Sequence, residues 1–379
     1  MESIKKANVS GKKVIVRVDF NVPIENGKIV DDTRIVSSLK TIKYLLDHNA
    51  KVILLSHLGR IKTKEDKEKY SLEIVAKHLS TLVNAPVYFA PVTRGDILEK
   101  TIENLESGEI VLVENTRFED YPKSLESSCD EALSKYWASL GDIFVFDAFG
   151  SSHRCHASTY GISKYLKSYA GFLVEEEVTM LNKAIHQRKT MILGGGKVDD
   201  KIDVINNLIN TCDKLLLGGA MCFTFLKAKG YSVGKNEVVE DKLEYAKNLL
   251  ETNSKKIILP VDFVSEHGVV EVENISDDDI LYDIGPKTIS KYKEAIFDSN
   301  LVLWNGPLGK YEDERFAEGT KSLMTYLNKQ SIVTILAGGD IVACAKKLGA
   351  KFTFVSTGGG ATLEYLEGKR FKTLERLQG

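Results

Sequence analysis

Short apolar runs punctuate this chain, separated by stretches in which apolar and polar positions mix. In the first half the runs are Lys13–Val18, 52–55, Ile110–Val113 and 143–146. Runs of this length, bounded by polar or glycine positions, read as buried strands of a parallel sheet. Amphipathic stretches at 33–48, 71–83 and 125–140 lie between them and read as helices. The second half repeats the alternation with runs at 191–193, 215–217, 301–304, 332–336 and 352–355. Alternating strands and helices predict parallel sheets covered by helices on both faces. Residues 270–279 predict a small antiparallel excursion, and the lysine- and glutamate-rich residues 62–69 a solvated loop or helix start. Residues 166–188 predict one long helix joining the halves, and 362–377 a closing helix.

Four second-half runs end in adjacent glycines: Gly194-Gly195-Gly196, Gly218-Gly219, Gly338-Gly339 and Gly358-Gly359-Gly360. Glycines at a strand's carboxyl end let backbone approach a ligand, and a following helix points free N–H groups at it. One such turn is ordinary; four in one half predict a polyanion site, and a nucleotide suits it best. Neither G-x-x-x-x-G-K-[ST] nor G-x-G-x-x-G occurs, so the site is neither a P-loop nor a dinucleotide fingerprint.

Length and composition narrow the class. A chain of 379 residues exceeds one ordinary core and predicts two domains. It is 43% hydrophobic and 27% charged, as globular domains are, and no apolar run approaches a membrane span. Its start lacks the apolar core of a signal peptide. The net charge of −2 falls on neither half in particular, which argues against a nucleic-acid surface. Five scattered cysteines without a CxxC pair fit reduced thiols in the cytosol. His153-Arg154-Cys155-His156 is too short and too isolated to read as a zinc site.

Candidate chemistry gathers at strand ends. Asp19 and Asn21 follow the first strand, with Arg34 soon after. His57-Leu58-Gly59-Arg60 follows the second, Arg117 the third and Arg154 the fourth. Ligands of open parallel sheets bind beyond these ends. Four arginines there, whose planar forks match carboxylate and phosphate oxygens, suit a small anionic molecule carrying a hydroxyl. In the second half, Lys197 and Lys201 lie four apart after Gly196, on one face of a helix start and in reach of phosphate. Asp340 stands where a magnesium ion bridging phosphates could be held, since magnesium commonly takes one or two carboxylates plus phosphate oxygens and water. Glu312 either accepts from ribose hydroxyls or complements a helix dipole.

Together these segments resemble phosphoglycerate kinases. RVDFNVP, SHLGR, DAFG with HR after it, GGKV, DKI, TFLK, LPVDF, DIGPKT, WNGP and STGGGA stand in the family's order from Gly11 to Lys369. The resemblance implies an α/β fold of two doubly wound parallel-sheet domains with a central cleft and a helical hinge. Residues 1–168 would bind phosphoglycerate, 169–355 the nucleotide, and 356–379 would return to the N-terminal domain. It implies reversible, magnesium-dependent phosphoryl transfer between 1,3-bisphosphoglycerate with ADP and 3-phosphoglycerate with ATP, with hinge-bending closure. The protein is then a cytoplasmic glycolytic monomer, with no nucleic-acid or membrane partner. Arg34 and Lys201 would neutralise the moving phosphoryl group. Asp19, Asn21, Arg34, His57, Leu58, Gly59, Arg60, Arg117 and Arg154 would hold the glycerate. Gly196, Lys197, Lys201, Gly219, Leu281, Gly306, Glu312, Gly338, Gly339, Asp340 and Ile341 would serve the nucleotide, Asp340 through magnesium. The nucleophile is a carboxylate, already ionised, so no general base is required.

Departures from the family pattern cluster on the nucleotide side. Gly196 replaces an alanine, Ala220 a glycine, Lys310 a valine and Ile341 a serine or threonine; Leu281 is bulkier than usual. On the other side Ile61 replaces a proline and Phe146 an asparagine. Ile341 is expected to deny the phosphates a hydroxyl, so that Ile341→Ser lowers the KM for ATP. Leu281 is expected to crowd the base. Two other classes compete: a non-catalytic anion- or nucleotide-binding paralogue, and a nicotinamide-dependent dehydrogenase, which the missing fingerprint disfavours.

Overall fold

The computed structural model describes residues 1–196 and 205–377. The chain divides into two compact units, one of Met1–Thr179 with Arg370–Gly379, the other of Met180–Lys369.

The first unit is built on a six-stranded parallel sheet. Its strands are β1 (Lys13–Val18), β4 (Lys51–Leu55), β5 (Val87–Ala90), β6 (Ile110–Val113), β7 (Ile143–Asp147) and β8 (Ser168–Ala170), in the order β5-β6-β4-β1-β7-β8. Two short strands, β2 (Ile24–Glu25) and β3 (Lys28–Ile29), make a hairpin outside it. β1 carries Val14, Val16 and Val18 into a core shared with Ile35, Ile42 and Leu45 of the helix Thr33–Asp47. The direction of chain winding reverses at β1, between β4 and β7. Loops after those strands therefore diverge to opposite faces and leave a crevice at their carboxyl ends.

The second unit repeats the plan. Its parallel sheet holds β9 (Lys189–Leu193), β10 (Lys214–Leu217), β11 (Ile257–Ile258), β15 (Leu301–Asn305), β16 (Val333–Ala337) and β17 (Phe354–Ser356), in the order β11-β10-β9-β15-β16-β17. The switch point lies between β9 and β15. The antiparallel excursion exists but is larger than residues 270–279. It is a three-stranded sheet of β12 (Asp262–Ser265), β13 (Gly268–Glu271) and β14 (Leu281–Ile284).

Three sequence expectations need correction. Residues 166–188 are not one helix. Residues Ser168–Ala170 add β8 to the first sheet, and the helix runs Phe172–His186. Between them Gly171 passes the Asp147 carboxyl so closely that a Cβ would lie 2.2 Å from Oδ1. Asp147 caps the helix instead, accepting from the backbone N–H of Leu173 at 2.9 Å and of Val174 at 3.3 Å. The helix in 125–140 begins only at Glu131, where Asp130 accepts from the Leu133 N–H. The closing helix is two, Gly360–Leu366 and Lys372–Glu375, broken at Gly368, whose φ is +85°.

These corrections move the domain bounds. A boundary at 168 cuts β8, and β17 with the helix Gly360–Leu366 packs in the second unit. Only the residues from Arg370 belong with the first unit, where Leu377 accepts from the Glu2 N–H and Thr373 donates its hydroxyl to the Ser152 carbonyl.

Asp147 also makes a pH prediction. It is wholly buried, and burial raises its pKa to about 7, against the Thr41 hydroxyl and then the helix-capping N–H groups, which lower it. A raised folded-state pKa contributes stability present below the unfolded value of about 4 and lost as pH rises through 7. Three units correspond to about 4 kcal/mol. Asp147→Asn cannot ionise. Its stability relative to the parent is therefore expected to rise by that order between pH 4 and pH 8 in denaturant titrations. A difference independent of pH would exclude the raised pKa.

Candidate active site

In the first unit the site grows from β1. Arg17 near its end is 1% exposed and turns inward, while Asp19 and Asn21 follow in the loop. Arg34, in the first turn of the helix Thr33–Asp47, donates NH1 to Asp19 Oδ2 at 2.7 Å. Burial works to raise the Asp19 pKa, but the nearby positive charge, led by Arg34, holds it below the usual carboxylate value. Asn21 Oδ1 accepts from the Gly59 N–H at 2.9 Å, and Arg117 donates to the Gly59 carbonyl. Gly59 has φ +61°, and a Cβ there would meet the Tyr70 ring at 2.5 Å, so this turn requires glycine. Asn115 fixes the turn from below, bonding the Leu58 N–H and carbonyl and the Arg117 N–H.

Arg60, Arg117 and Arg154 line one cavity of about 300 Å³ with Lys62, His156 and a single carboxylate, Asp120. The charge there is under-compensated. Arg117 is pushed down to about 10, first by burial and then by Arg154 and Arg17. His156 falls to about 3, by burial and then by the same three guanidiniums. His57 lies well below its ordinary value; burial dominates, Asp19 opposes, and Arg17, Arg117 and Arg34 reinforce. Both imidazoles are therefore neutral at physiological pH, and an anion is what this field lacks.

The structure thus brings Arg60, Arg117 and Arg154 around one cavity and ties Asp19, Asn21, Arg34 and Gly59 to it by hydrogen bonds. Leu58 differs: its side chain is 2% exposed and packs in the core, so only its backbone serves the site. Arg17 was missed as a site residue; its place before Asp19 at the end of β1 was the available signal.

In the second unit the turns after β9 and β15 interlock. Gly194 N–H donates to the Asn305 carbonyl at 2.8 Å and Gly195 N–H to that of Pro307 at 2.7 Å. A Cβ on Gly306 would lie 2.3 Å from the Gly194 oxygen, so any larger residue separates the two turns. Beyond them opens a cavity of about 630 Å³. One end is backbone and carboxylate: Gly195, Gly196, Gly219, Glu312 and Asp340. Asp340 lies in the first turn of the helix Gly339–Lys347, whose N-cap Gly338 has φ +110°. The other end is apolar and aromatic, with Phe223, Phe263, Ile280, Leu281 and Tyr282. Such a division suits phosphates at the first end and a base at the second.

Sequence reasoning missed Tyr282 and Asn236 here, and read Lys310 only as a departure from the family pattern. Tyr282 stacks on Phe316 with ring centroids 4.4 Å apart, and Lys310 holds its ammonium 5.6 Å from the Tyr282 centroid. Asn236 accepts from the Leu281 N–H at 3.1 Å, which sets that strand's edge against the pocket. Gly306, Gly338 and Gly339 shape the turns without lining the cavity. Lys197 and Lys201 lie outside the described residues.

The Ile341 side chain does not lie where the sequence suggests. It is wholly buried among Trp304, Leu308, Leu336 and Cys344 and does not reach the pocket. Its position two residues into the helix Gly339–Lys347 puts it on the face that also carries Cys344 and Ala345 inward. That i, i+3, i+4 spacing was legible in the sequence.

Comparison with known proteins follows the same lines. A sequence profile described as phosphoglycerate kinase matches residues 4–369. The phosphoglycerate kinase of Fusobacterium nucleatum is 49% identical, covering 99% of this chain and 98% of that protein. That of Lacticaseibacillus casei is 50% identical over 97% and 96%. Among solved structures, phosphoglycerate kinase from Pyrococcus horikoshii OT3 superposes with TM-score 0.89 at 31% identity, covering 100% of this chain and 98% of the other. The Coxiella burnetii enzyme gives 0.86 at 35% identity over 99% and 98%. With nearly full coverage by profile, sequence and structure, the chain belongs to the phosphoglycerate kinase family.

Proposed function

We propose that the protein is a working phosphoglycerate kinase, passing a phosphoryl group reversibly between ATP and the carboxylate of 3-phosphoglycerate. The observation that carries this reading is the under-compensated guanidinium field of the first unit, whose histidines are driven neutral. A small polyanion is the ligand such a field selects, and Arg60, Arg117 and Arg154, which line one cavity, would hold it. Asp19 and Asn21 offer acceptors for the glycerate hydroxyl. The nucleotide enters the second unit's pocket, its phosphates toward Gly195, Gly196 and Gly219 and its base toward Tyr282 and Leu281.

In the ATP-consuming direction a carboxylate oxygen attacks the γ-phosphorus, a new P–O bond forms and ADP leaves with the electrons of the old one. No proton need move. The histidines agree with this, since His57 already uses its Nδ1 lone pair with Arg17 at 3.0 Å. Positioning and charge neutralisation then carry the acceleration. Arg34 supplies charge from the glycerate side. Lys201, by family resemblance, supplies it from the nucleotide side.

The donor set at the pocket fits magnesium. Asp340 presents a carboxylate in the first turn of a helix, and among the described residues no cluster of three or more ligating side chains forms a complete cage. One carboxylate completed by phosphate oxygens and water is the usual magnesium arrangement. When bound, the ion shields phosphate charge; Asp340 would hold it. The protein is further proposed to act as a cytoplasmic monomer on small molecules, independent of nucleic acid and membrane. No helix among the described residues is long and apolar enough to cross a membrane.

A coupled assay in both directions tests the reading. Magnesium-dependent turnover with ATP and 3-phosphoglycerate is expected, with GTP compared alongside. A folded sample inert in both directions would return the protein to the non-catalytic class.

A further inference from the structure

Beneath the guanidinium field lies a line of buried polar groups that the reaction itself does not touch. Glu126 and Ser158 are 0% exposed and Arg17 is 1% exposed. Glu126 Oε2 accepts from the Ser158 N–H at 2.9 Å, and Oε1 accepts from the Ser158 hydroxyl. Ser158 Oγ accepts in turn from Arg17 Nε at 2.8 Å. Arg17 donates NH1 to the Val18 carbonyl and holds NH2 3.0 Å from His57 Nδ1. The Glu126 carbonyl accepts from the Ala157 N–H at 2.9 Å, so the glutamate grips the Ser158 turn by backbone as well.

Each link constrains the next. A carboxylate only accepts, so the serine hydroxyl hydrogen points at Glu126 and its lone pair at Arg17. A guanidinium only donates, so His57 Nδ1 must accept, and the ring proton resides on Nε2. The His57 backbone is held separately, its carbonyl accepting from the Ser56 hydroxyl at 3.1 Å. The groups facing the ring are Asp19, Arg17, Arg117 and Arg34, the last three all cationic.

We infer that Glu126, acting through Ser158 and Arg17, is a positioning residue that holds His57 as a neutral Nε2–H donor. The identity of what receives that hydrogen bond, the anionic glycerate, rests on the function proposed above; the tautomer does not. A positive site needs donors that do not titrate and do not add to the repulsion among its arginines. An imidazole locked in one neutral tautomer supplies such a donor. Glu126 also supplies the negative charge that makes a buried Arg17 tolerable, since a buried cation without a partner is strongly disfavoured.

The test reads the ring directly. Nitrogen-15 spectra of the full-length protein, with His57 assigned by its loss in His57→Gln, are expected to show a single neutral Nε2–H form from pH 5.5 to 8. In Glu126→Gln and in Ser158→Ala, His57 is expected to show exchanging tautomers or a titration inside that range. The KM for 3-phosphoglycerate should rise about tenfold, the loss of one well-aimed hydrogen bond, with a smaller change in kcat. A purely structural role would lower the melting temperature and leave the ring shifts at parent values, and that result would overturn the inference. So would a parent His57 that carries its proton on Nδ1 or becomes protonated above pH 6. Should the parent show the expected tautomer yet fail to turn over 3-phosphoglycerate, the positioning stands and the proposed function falls.

Discussion

Arg34→Ala is expected to lower kcat by on the order of 10³ or more, with a much smaller change in the KM for 3-phosphoglycerate. Among the described residues the Arg34 guanidinium makes one hydrogen bond, from Nη1 to Asp19 Oδ2 at 2.7 Å, and 34% of the side chain remains exposed. The rest of its guanidinium fork is free to follow charge that appears only as the phosphoryl group moves. Arg60, Arg117 and Arg154 differ: they line the cavity, and on the proposed reading they would meet the charge the ground-state anion already carries. A contact made equally to ground state and transition state changes KM, whereas one made only in the transition state changes kcat. Alanine at 117 or 154 should therefore act mainly on KM. Arg34→Lys, which keeps the charge but not the planar fork, should recover part of the loss. Steady-state kinetics in the coupled assay separate these outcomes, and near-parent kcat in Arg34→Ala would remove Arg34 from the catalytic role.

The second large effect concerns Ile341, and its sign differs from what the family pattern suggests. Ile341→Ser is expected to cost about 3 kcal/mol of stability and to leave nucleotide affinity unimproved. The side chain it replaces is wholly buried against Trp304, Leu336 and Cys344, two of which are themselves wholly buried. Serine removes apolar volume that rigid neighbours cannot refill and places a hydroxyl among them. The Ala337 carbonyl at the end of β16, four residues back, already accepts from Asn305 Nδ2 at 2.6 Å. For a unit of this size the melting temperature should fall on the order of 10 °C. Calorimetry with and without nucleotide checks both halves. An unchanged melting temperature together with tighter ATP binding would restore the reading that Ile341 weakens the phosphate site.

Ile341 shows how a motif can mislead. Its place after Gly338-Gly339-Asp340 put it beside the phosphates in sequence, and Asp340 does line the pocket. One residue further along a helix turns the side chain by about 100°, which is enough to point it into the core. Leu58 behaves likewise within His57-Leu58-Gly59-Arg60: His57 and Arg60 present side chains, whereas Leu58 buries its own in the core and bonds Asn115 through its backbone.

What the sequence determined by itself was the class of fold and the chemistry at strand ends. Short apolar runs closed by Arg60, Arg117, Arg154 or paired glycines carry both messages locally. Strand period and turn chemistry depend on residues a few positions apart, and a parallel sheet must present its ligands at one edge. The tertiary structure alone decided which side chains are spent inside. Arg17 stands just before Asp19 at the end of β1, yet Ser158, 141 residues along the chain and itself held by Glu126, draws it into the interior. Residues 168–170 are a strand because β7 offers an open edge, although their own pattern continues a helix. Tyr282 and Lys310 meet at the second unit's pocket because β14 and the turn after β15 come together. These outcomes rest on contacts between distant segments, whose energies no local pattern encodes.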